Sequence, residues 1–179
     1  LTDPERSIYD PPPGYDTLYR EDAREALADK SAWGLYYNKV RPTPDELDAI
    51  EALYDGGVAF LDEHIGRLIQ GLRDTGVLDE TIVVITADHG EVLDEHYEDW
   101  FSHDPHLVEE NLHVPLLVRL PGARHAGRRI DAMVQGVDLL PTVLELAGHS
   151  IEERRFSGLS LAALIEGSSD DDAVDDRSV

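Results

Sequence analysis

The sequence predicts a layered α/β domain, a sheet flanked by helices. Three observations predict it: apolar side chains at helical spacing through residues 44–72, a short β-branched apolar run at 81–86, and a second such run within 112–120. With 179 residues the chain is long enough for one domain with a real core. The expected organisation has three parts: an irregular, Pro/Tyr-rich segment 1–42 belonging to the same domain, a body at 43–167, and a disordered acidic tail at 168–179.

Taken in order, Pro11-Pro12-Pro13-Gly14 excludes helix and central strand, and residues 20–30 are a candidate short helix. Thr43-Pro44-Asp45-Glu46 is a helix start, with Thr43 as cap, Pro44 at the first helical position and Glu46 completing a capping box. Leu47, Ile50, Leu53, Tyr54, Val58, Leu61, Ile65, Leu68, Ile69 and Leu72 then recur at helical spacing, and Gly76 is a stop. Gly56-Gly57 marks a kink or a close approach, since a mid-helix Gly costs about 1 kcal/mol relative to Ala. The run Thr81-Ile82-Val83-Val84-Ile85-Thr86 suits a strand buried on both faces of a parallel sheet. The second strand ends at Pro121-Gly122, and residues 138–147 form a short helix with Gly148 just past its end. Internal repeats are absent.

Composition narrows the function classes. There is no Cys, which excludes disulfides, thiolate zinc sites and a Cys nucleophile from this stretch. No apolar run approaches the roughly 20 residues of a membrane span. The chain starts at Leu1 without a leader, so upstream sequence is expected to be missing, and location is left open. Asp plus Glu number 38 against 15 Lys plus Arg, a formal charge of -23, and the lysines are Lys30 and Lys39 only. That field repels nucleic acid and anionic membranes, and it also repels an anionic substrate unless metal and local cations offset it. One reading is adaptation to high salt, where at about 1 M the screening length falls to about 3 Å. The other is an ordinary acidic protein with an acidic tail.

In open α/β sheets ligands bind beyond the carboxyl ends of the strands. The residues there are Thr86-Ala87-Asp88-His89-Gly90-Glu91. An Asp and a His side by side at a strand exit offer one cation a hard oxygen and an imidazole nitrogen, and Gly90 permits a sharp turn or close approach. The bland alternative has Asp88 capping a turn and His89 packing there. An acidic, His-containing loop follows, with Asp94, Glu95, His96, His103 and His106.

Four further stretches complete a pattern. They are 53–68 (Leu53-Tyr54-Asp55-Gly56-Gly57 onward), 76–91 (Gly76-Val77-Leu78-Asp79-Glu80-Thr81 into Glu91), 107–118 (Leu107 to Val118, with Asn111 and Pro115), and 137–161 (Val137-Asp138-Leu139-Leu140-Pro141-Thr142 to Gly158-Leu159-Ser160-Leu161). In this order and spacing, residues 44–166 resemble the C-terminal half of the catalytic domain of a sulfatase, in the alkaline phosphatase superfamily. The resemblance implies an alkaline-phosphatase-like α/β fold, incomplete because the N-terminal part is missing. It implies a metal-dependent hydrolase cleaving R–O–sulfate to alcohol and sulfate.

Residue by residue, the resemblance gives Asp88 and His89 the catalytic divalent cation, calcium by family habit with magnesium or manganese as alternatives. A cationic or proton-donating group commonly precedes the segment matching Glu109 to Val114. His103 is the best match and His106 the alternative, either of them suited to binding an ester oxygen or protonating the leaving group. Glu109 and Glu110 are expected to cap or brace the following helix turn, and His113, just before the second strand, to pack. Pro141-Thr142 and Asp138 form a helix-start element.

The departures bear on activity. The family's Cys/Ser-x-Pro-x-Arg motif, source of the formylglycine nucleophile, is absent here, as is the Asp pair that completes the metal site. The segment around Tyr9 resembles a family stretch in which a His stands before the prolines, and here none does. The formylglycine is therefore expected upstream and the isolated chain inactive. The expected partners are an anionic sulfate or phosphate ester and the missing N-terminal part of the domain. Two alternatives remain: a phosphodiesterase, phosphonate monoester hydrolase or phosphotransferase of the same superfamily, and a degenerate, non-catalytic binding module.

Overall fold

A computed structural model describes residues 9–28, 41–93, 101–102, 107–151 and 155–167. In chain order their helices and strands are α1 (Ala23–Ala26), α2 (Pro44–Asp74), β1 (Val83–Thr86), β2 (Val92–Leu93), β3 (Phe101–Ser102), α3 (Glu109–Leu112), β4 (Leu116–Arg119), α4 (Leu139–Leu146) and α5 (Ala162–Ile165). The chain divides into two compact units, one of Leu1–Asp74 with His89–Val114, the other of Thr75–Asp88 with Pro115–Val179. Among the described residues no helix is long and apolar enough to cross a membrane.

The first unit is organised by α2. The expected capping box forms: Glu46 accepts from the Thr43 amide at 2.7 Å, and Thr43 Oγ1 accepts from the Glu46 amide at 3.3 Å. The helix continues without a break for 31 residues. Gly56 marks a close approach rather than a kink, because a Cβ there would lie 2.3 Å from the Tyr15 carbonyl oxygen. Ala49, Ile50, Ala52 and Leu53 of α2 bury against Ala23 and Leu27, with Tyr9, Leu47 and Leu93 packed around them. Each large aliphatic side chain so buried contributes about 1.5–3 kcal/mol.

Arg20 fastens residues 10–24 to α2, and Arg24 ties that segment together. Arg20 donates to Asp22 (2.8 Å), to the Asp45 carbonyl (2.7 Å) and carboxylate (3.0 Å), and to Asp48 (3.2 Å). Arg24 reaches Asp10 (2.5 Å), Asp16 (2.7 Å) and the Pro11 carbonyl (2.6 Å). In the outer half of α2, residues 57–74, no residue is buried, and Val58, Leu61 and Leu68 are 49%, 58% and 63% exposed. β2 and β3 pair antiparallel, Val92 opposite Ser102 and Leu93 opposite Phe101.

The second unit holds the two strands expected from the apolar runs. They pair with each other, antiparallel, in the register Val83–Arg119, Val84–Val118, Ile85–Leu117 and Thr86–Leu116. This differs from the expected parallel sheet with doubly buried strands. β-branched, apolar composition specifies a strand but not its neighbour's direction, and no residue of β1 or β4 is fully buried. Arg119 ties β4 to the turn before β1, donating to the Leu78 carbonyl (2.7 Å) and the Asp79 carboxylate (2.9 Å).

α4 lies where the sequence puts it, and Gly148 follows it with φ 82°. Its start is built on Asp138, which is fully buried. The Asp138 carboxylate accepts from the amides of Gln135 (2.8 Å) and Leu159 (2.9 Å). Thr142 Oγ1 donates to the Asp138 carbonyl (2.6 Å) and accepts from the Leu161 amide (2.8 Å). Leu161 and Leu164 then pack with Leu116, Ile130, Ala132 and Val134.

Candidate metal centre

β1 ends at Thr86, and Asp88 and His89 follow after Ala87, both exposed. Asp88 closes its segment of the second unit and His89 opens its segment of the first. His89 Nδ1 lies 2.8 Å from the Gly90 carbonyl oxygen. A carbonyl only accepts, so Nδ1 carries a proton, and in the neutral ring Nε2 is left with the lone pair. A metal-ligating His has this arrangement, with one ring nitrogen donating to a carbonyl while the other faces the ion.

The next residues are fixed from three directions. The Gly90 amide donates to the Asn111 carbonyl at 2.9 Å, and a Cβ on Gly90 would lie 1.8 Å from the Glu110 carbonyl oxygen, so only Gly fits beside α3. The Glu91 carboxylate accepts from the Tyr9 hydroxyl at 2.7 Å. Val92 is completely buried.

The donor chemistry of Asp88 and His89 suits a divalent cation, one oxygen and one nitrogen donor on consecutive residues. The set is short of a full shell. Among the described residues no group of three or more His, Cys, Asp or Glu is arranged to hold a metal ion. His103 and His106 lie outside the described residues, as do Asp94, Glu95 and His96.

Glu109 and Glu110 begin α3, as expected. His113 does not pack as expected. Its side chain is 80% exposed and sits 3.2 Å from the Glu109 carboxylate, because it falls on the outward turn before β4. The Tyr9–Glu91 contact has no signal in the sequence, since its partners are 82 positions apart.

Comparison with known proteins identifies the family. A family model described as Sulfatase matches residues 9–149. "Arylsulfatase K" of Xenopus laevis is 39% identical over 127 residues, which is 71% of this chain and 23% of that protein. The solved phosphonate monoester hydrolase of Agrobacterium radiobacter is 30% identical with a TM-score of 0.64, over 72% of this chain and 25% of its own. A protein solved in complex with its substrate D-glucosamine-2-N,6-O-disulfate is also 30% identical, with a TM-score of 0.64, over 82% of this chain and 28% of its own. The chain spans about a quarter of the length of these relatives.

Proposed function

The chain belongs to the sulfatase family, and from that membership we propose that it supplies the C-terminal, metal-binding part of a sulfuric ester hydrolase. Its α/β fold is of the alkaline-phosphatase-like kind seen in its structural neighbours, which it matches over part of their length. The reaction is R–O–SO3⁻ plus water giving ROH plus sulfate and a proton.

The observation that carries the proposal is the His89–Gly90 hydrogen bond, which selects the tautomer a ligand needs. Asp88 gives the carboxylate oxygen and His89 the Nε2 lone pair. A divalent cation held there, calcium first and magnesium or manganese as alternatives, supplies positive charge against the ester's anionic oxygens. His103, or His106 in its place, binds an ester oxygen or donates an imidazolium N–H proton to the departing alkoxide. The nucleophile, a formylglycine made from Cys or Ser, comes from sequence outside these residues, as do the remaining metal ligands.

The second reading is hydrolysis of a phosphonate or phosphate ester. It is favoured by the likeness to the Agrobacterium hydrolase and by an Asp-His pair where many sulfatases carry Asp-Asn.

The deciding experiment reads the coding sequence in frame upstream of the Leu1 codon and assays that longer product on an aryl sulfate. An acidic pair, a Cys/Ser-x-Pro-x-Arg motif and sulfate release that Asp88→Ala and His89→Ala each abolish are the expected results. A Thr nucleophile with faster phosphate-ester cleavage moves the assignment to phosphoryl transfer. A stop codon with no nucleophile overturns it.

A further inference from the structure

We propose that the exposed turn 122–129 is the docking surface for this chain's own acidic C-terminal segment, residues 168–179, held by Arg124, Arg128 and Arg129. β4 runs from Leu116, opposite Thr86, to Arg119, opposite Val83. The turn therefore leaves the sheet at the end away from Asp88, and neither Asp88 nor His89 takes part in the docking.

Three of the chain's 15 lysines and arginines fall within residues 124–129, in a molecule of formal charge -23. Gly122 to Arg129 are all exposed. The backbone that gathers them is tightly folded. Gly122, Ala123, His125 and Gly127 have φ of 63°, 51°, 59° and 81°. The amides of Arg124, Ala126 and Arg128 donate to the carbonyls of Pro121 (3.4 Å), Ala123 (3.2 Å) and His125 (3.2 Å). Like charges held together on one short turn repel each other, and an anion between them relieves this. Among the described residues the Arg129 side chain makes no ion pair.

Two of the three arginines sit where the acidic segment begins. Arg124 donates to the Glu166 carboxylate at 3.2 Å. Arg128 Nη1 lies 2.6 Å from the place a Cβ on Gly167 would take, so the guanidinium rests against a residue with no side chain to exclude it. Beyond Gly167 come Asp170, Asp171, Asp172, Asp175 and Asp176, five carboxylates against the single cation Arg177. Asp170 is the third residue past Gly167, within about 11 Å at the 3.3–3.6 Å an extended residue spans. Exposed ion pairs are individually weak. The tether makes each further pair intramolecular, so several act together. The strongly negative molecule disfavours other seats for the segment. Docked, it neutralises the turn and denies it to other anions.

The test uses the complete chain, which has no Cys, so Ser178→Cys accepts a single nitroxide label. The tether alone brings that label near the turn. The reference is therefore the same labelled chain with Asp170, Asp171, Asp172, Asp175 and Asp176 all changed to Asn. At about 0.01 M salt, where screening extends about 30 Å, the amide peaks of Arg124, Gly127 and Arg129 are expected to be about twofold weaker in the acidic chain than in the reference. At about 1 M salt, with screening at about 3 Å, the difference disappears. Arg128→Gln together with Arg129→Gln also removes it, while unmoved Val84 and Val118 amides report an intact sheet. Equal broadening in the acidic and neutral chains at low salt overturns the proposal, as does a difference that survives both arginine substitutions.

Polyaspartate added to the unlabelled chains identifies the occupant. With the segment docked, the turn amides of the wild type shift only at about tenfold more polyaspartate than those of the neutral-segment variant. Equal requirements mark the turn as an open surface for an outside polyanion and overturn the assignment to residues 168–179.

Discussion

Gly90 stands so close to Glu110 that a methyl group on its Cα would lie 1.8 Å from the Glu110 carbonyl oxygen. The obstacle is backbone, so no side chain can swing away. Gly90→Ala is expected to destabilise the first unit by about 1–3 kcal/mol through overpacking. A lowered melting midpoint in thermal unfolding checks this.

The two neighbouring glycines of α2 respond in opposite directions. A Cβ on Gly56 meets the Tyr15 carbonyl at 2.3 Å, whereas one on Gly57 meets nothing within 4 Å. Gly57→Ala is expected to stabilise by about 0.5–1 kcal/mol, and Gly56→Ala to destabilise. Paired urea titrations read both, and equal signs contradict the packing account.

Asp138 is itself fully buried and accepts from two part-buried amides. Asp138→Ala removes the acceptor of both, at about 1 kcal/mol for each hydrogen bond lost, so a fall in the unfolding midpoint is expected. Thr142→Val removes one donor and one acceptor and is expected to cost less. Near-wild-type midpoints in both variants refute the hub.

Acid loosens the segment before α2. Hydrogen bonds from Arg24 and Arg20 hold the Asp16 and Asp22 carboxyls below their ordinary value of 3.8. A depressed carboxyl stabilises the fold above its ordinary value, and the contribution disappears as pH falls through the lowered one. Stability therefore declines as pH drops below about 3.8. Asp16→Asn is expected to flatten that limb of the melting-midpoint profile. Tyr15, raised by its hydrogen bond to Glu63, works at the other end, losing its contribution as pH climbs past 10.0.

The chain assayed alone on an aryl sulfate is expected to release no sulfate, because two ligands fall well short of the six or so a hard divalent cation takes. Turnover by the purified 179-residue chain that calcium stimulates would contradict this.

What the sequence made legible was local. The start of α2 is written in four consecutive residues, Thr43 to Glu46, each interacting within one turn, so pattern and structure agree. The end of α4 at Gly148 follows from one residue's tolerance of positive φ. Strand β1 is legible as a strand, but its antiparallel partner is not, since pairing direction depends on residues 30 or more positions away. At His113 the apolar flanks suggest burial, whereas the side chain lies exposed beside Glu109. At the candidate site, residue type, position at a strand exit and the sulfatase resemblance together single out Asp88 and His89. The Tyr9 contact and the tautomer-setting carbonyl needed the fold, because neither has a sequence pattern.

The 31 residues of α2 make a rod about 46 Å long at 1.5 Å per residue. Only its first half is covered by core. The outer 18 residues include Gly57, Gly66 and Gly71, and an isolated helix of that length is marginal in water. The rod is therefore one object geometrically and two thermodynamically. Amide hydrogens near Leu53 exchange with solvent only when the unit unfolds, while those toward Asp74 exchange through fraying that leaves the core intact. Deuterium uptake along this single helix should be lowest around Leu53 and rise toward Asp74.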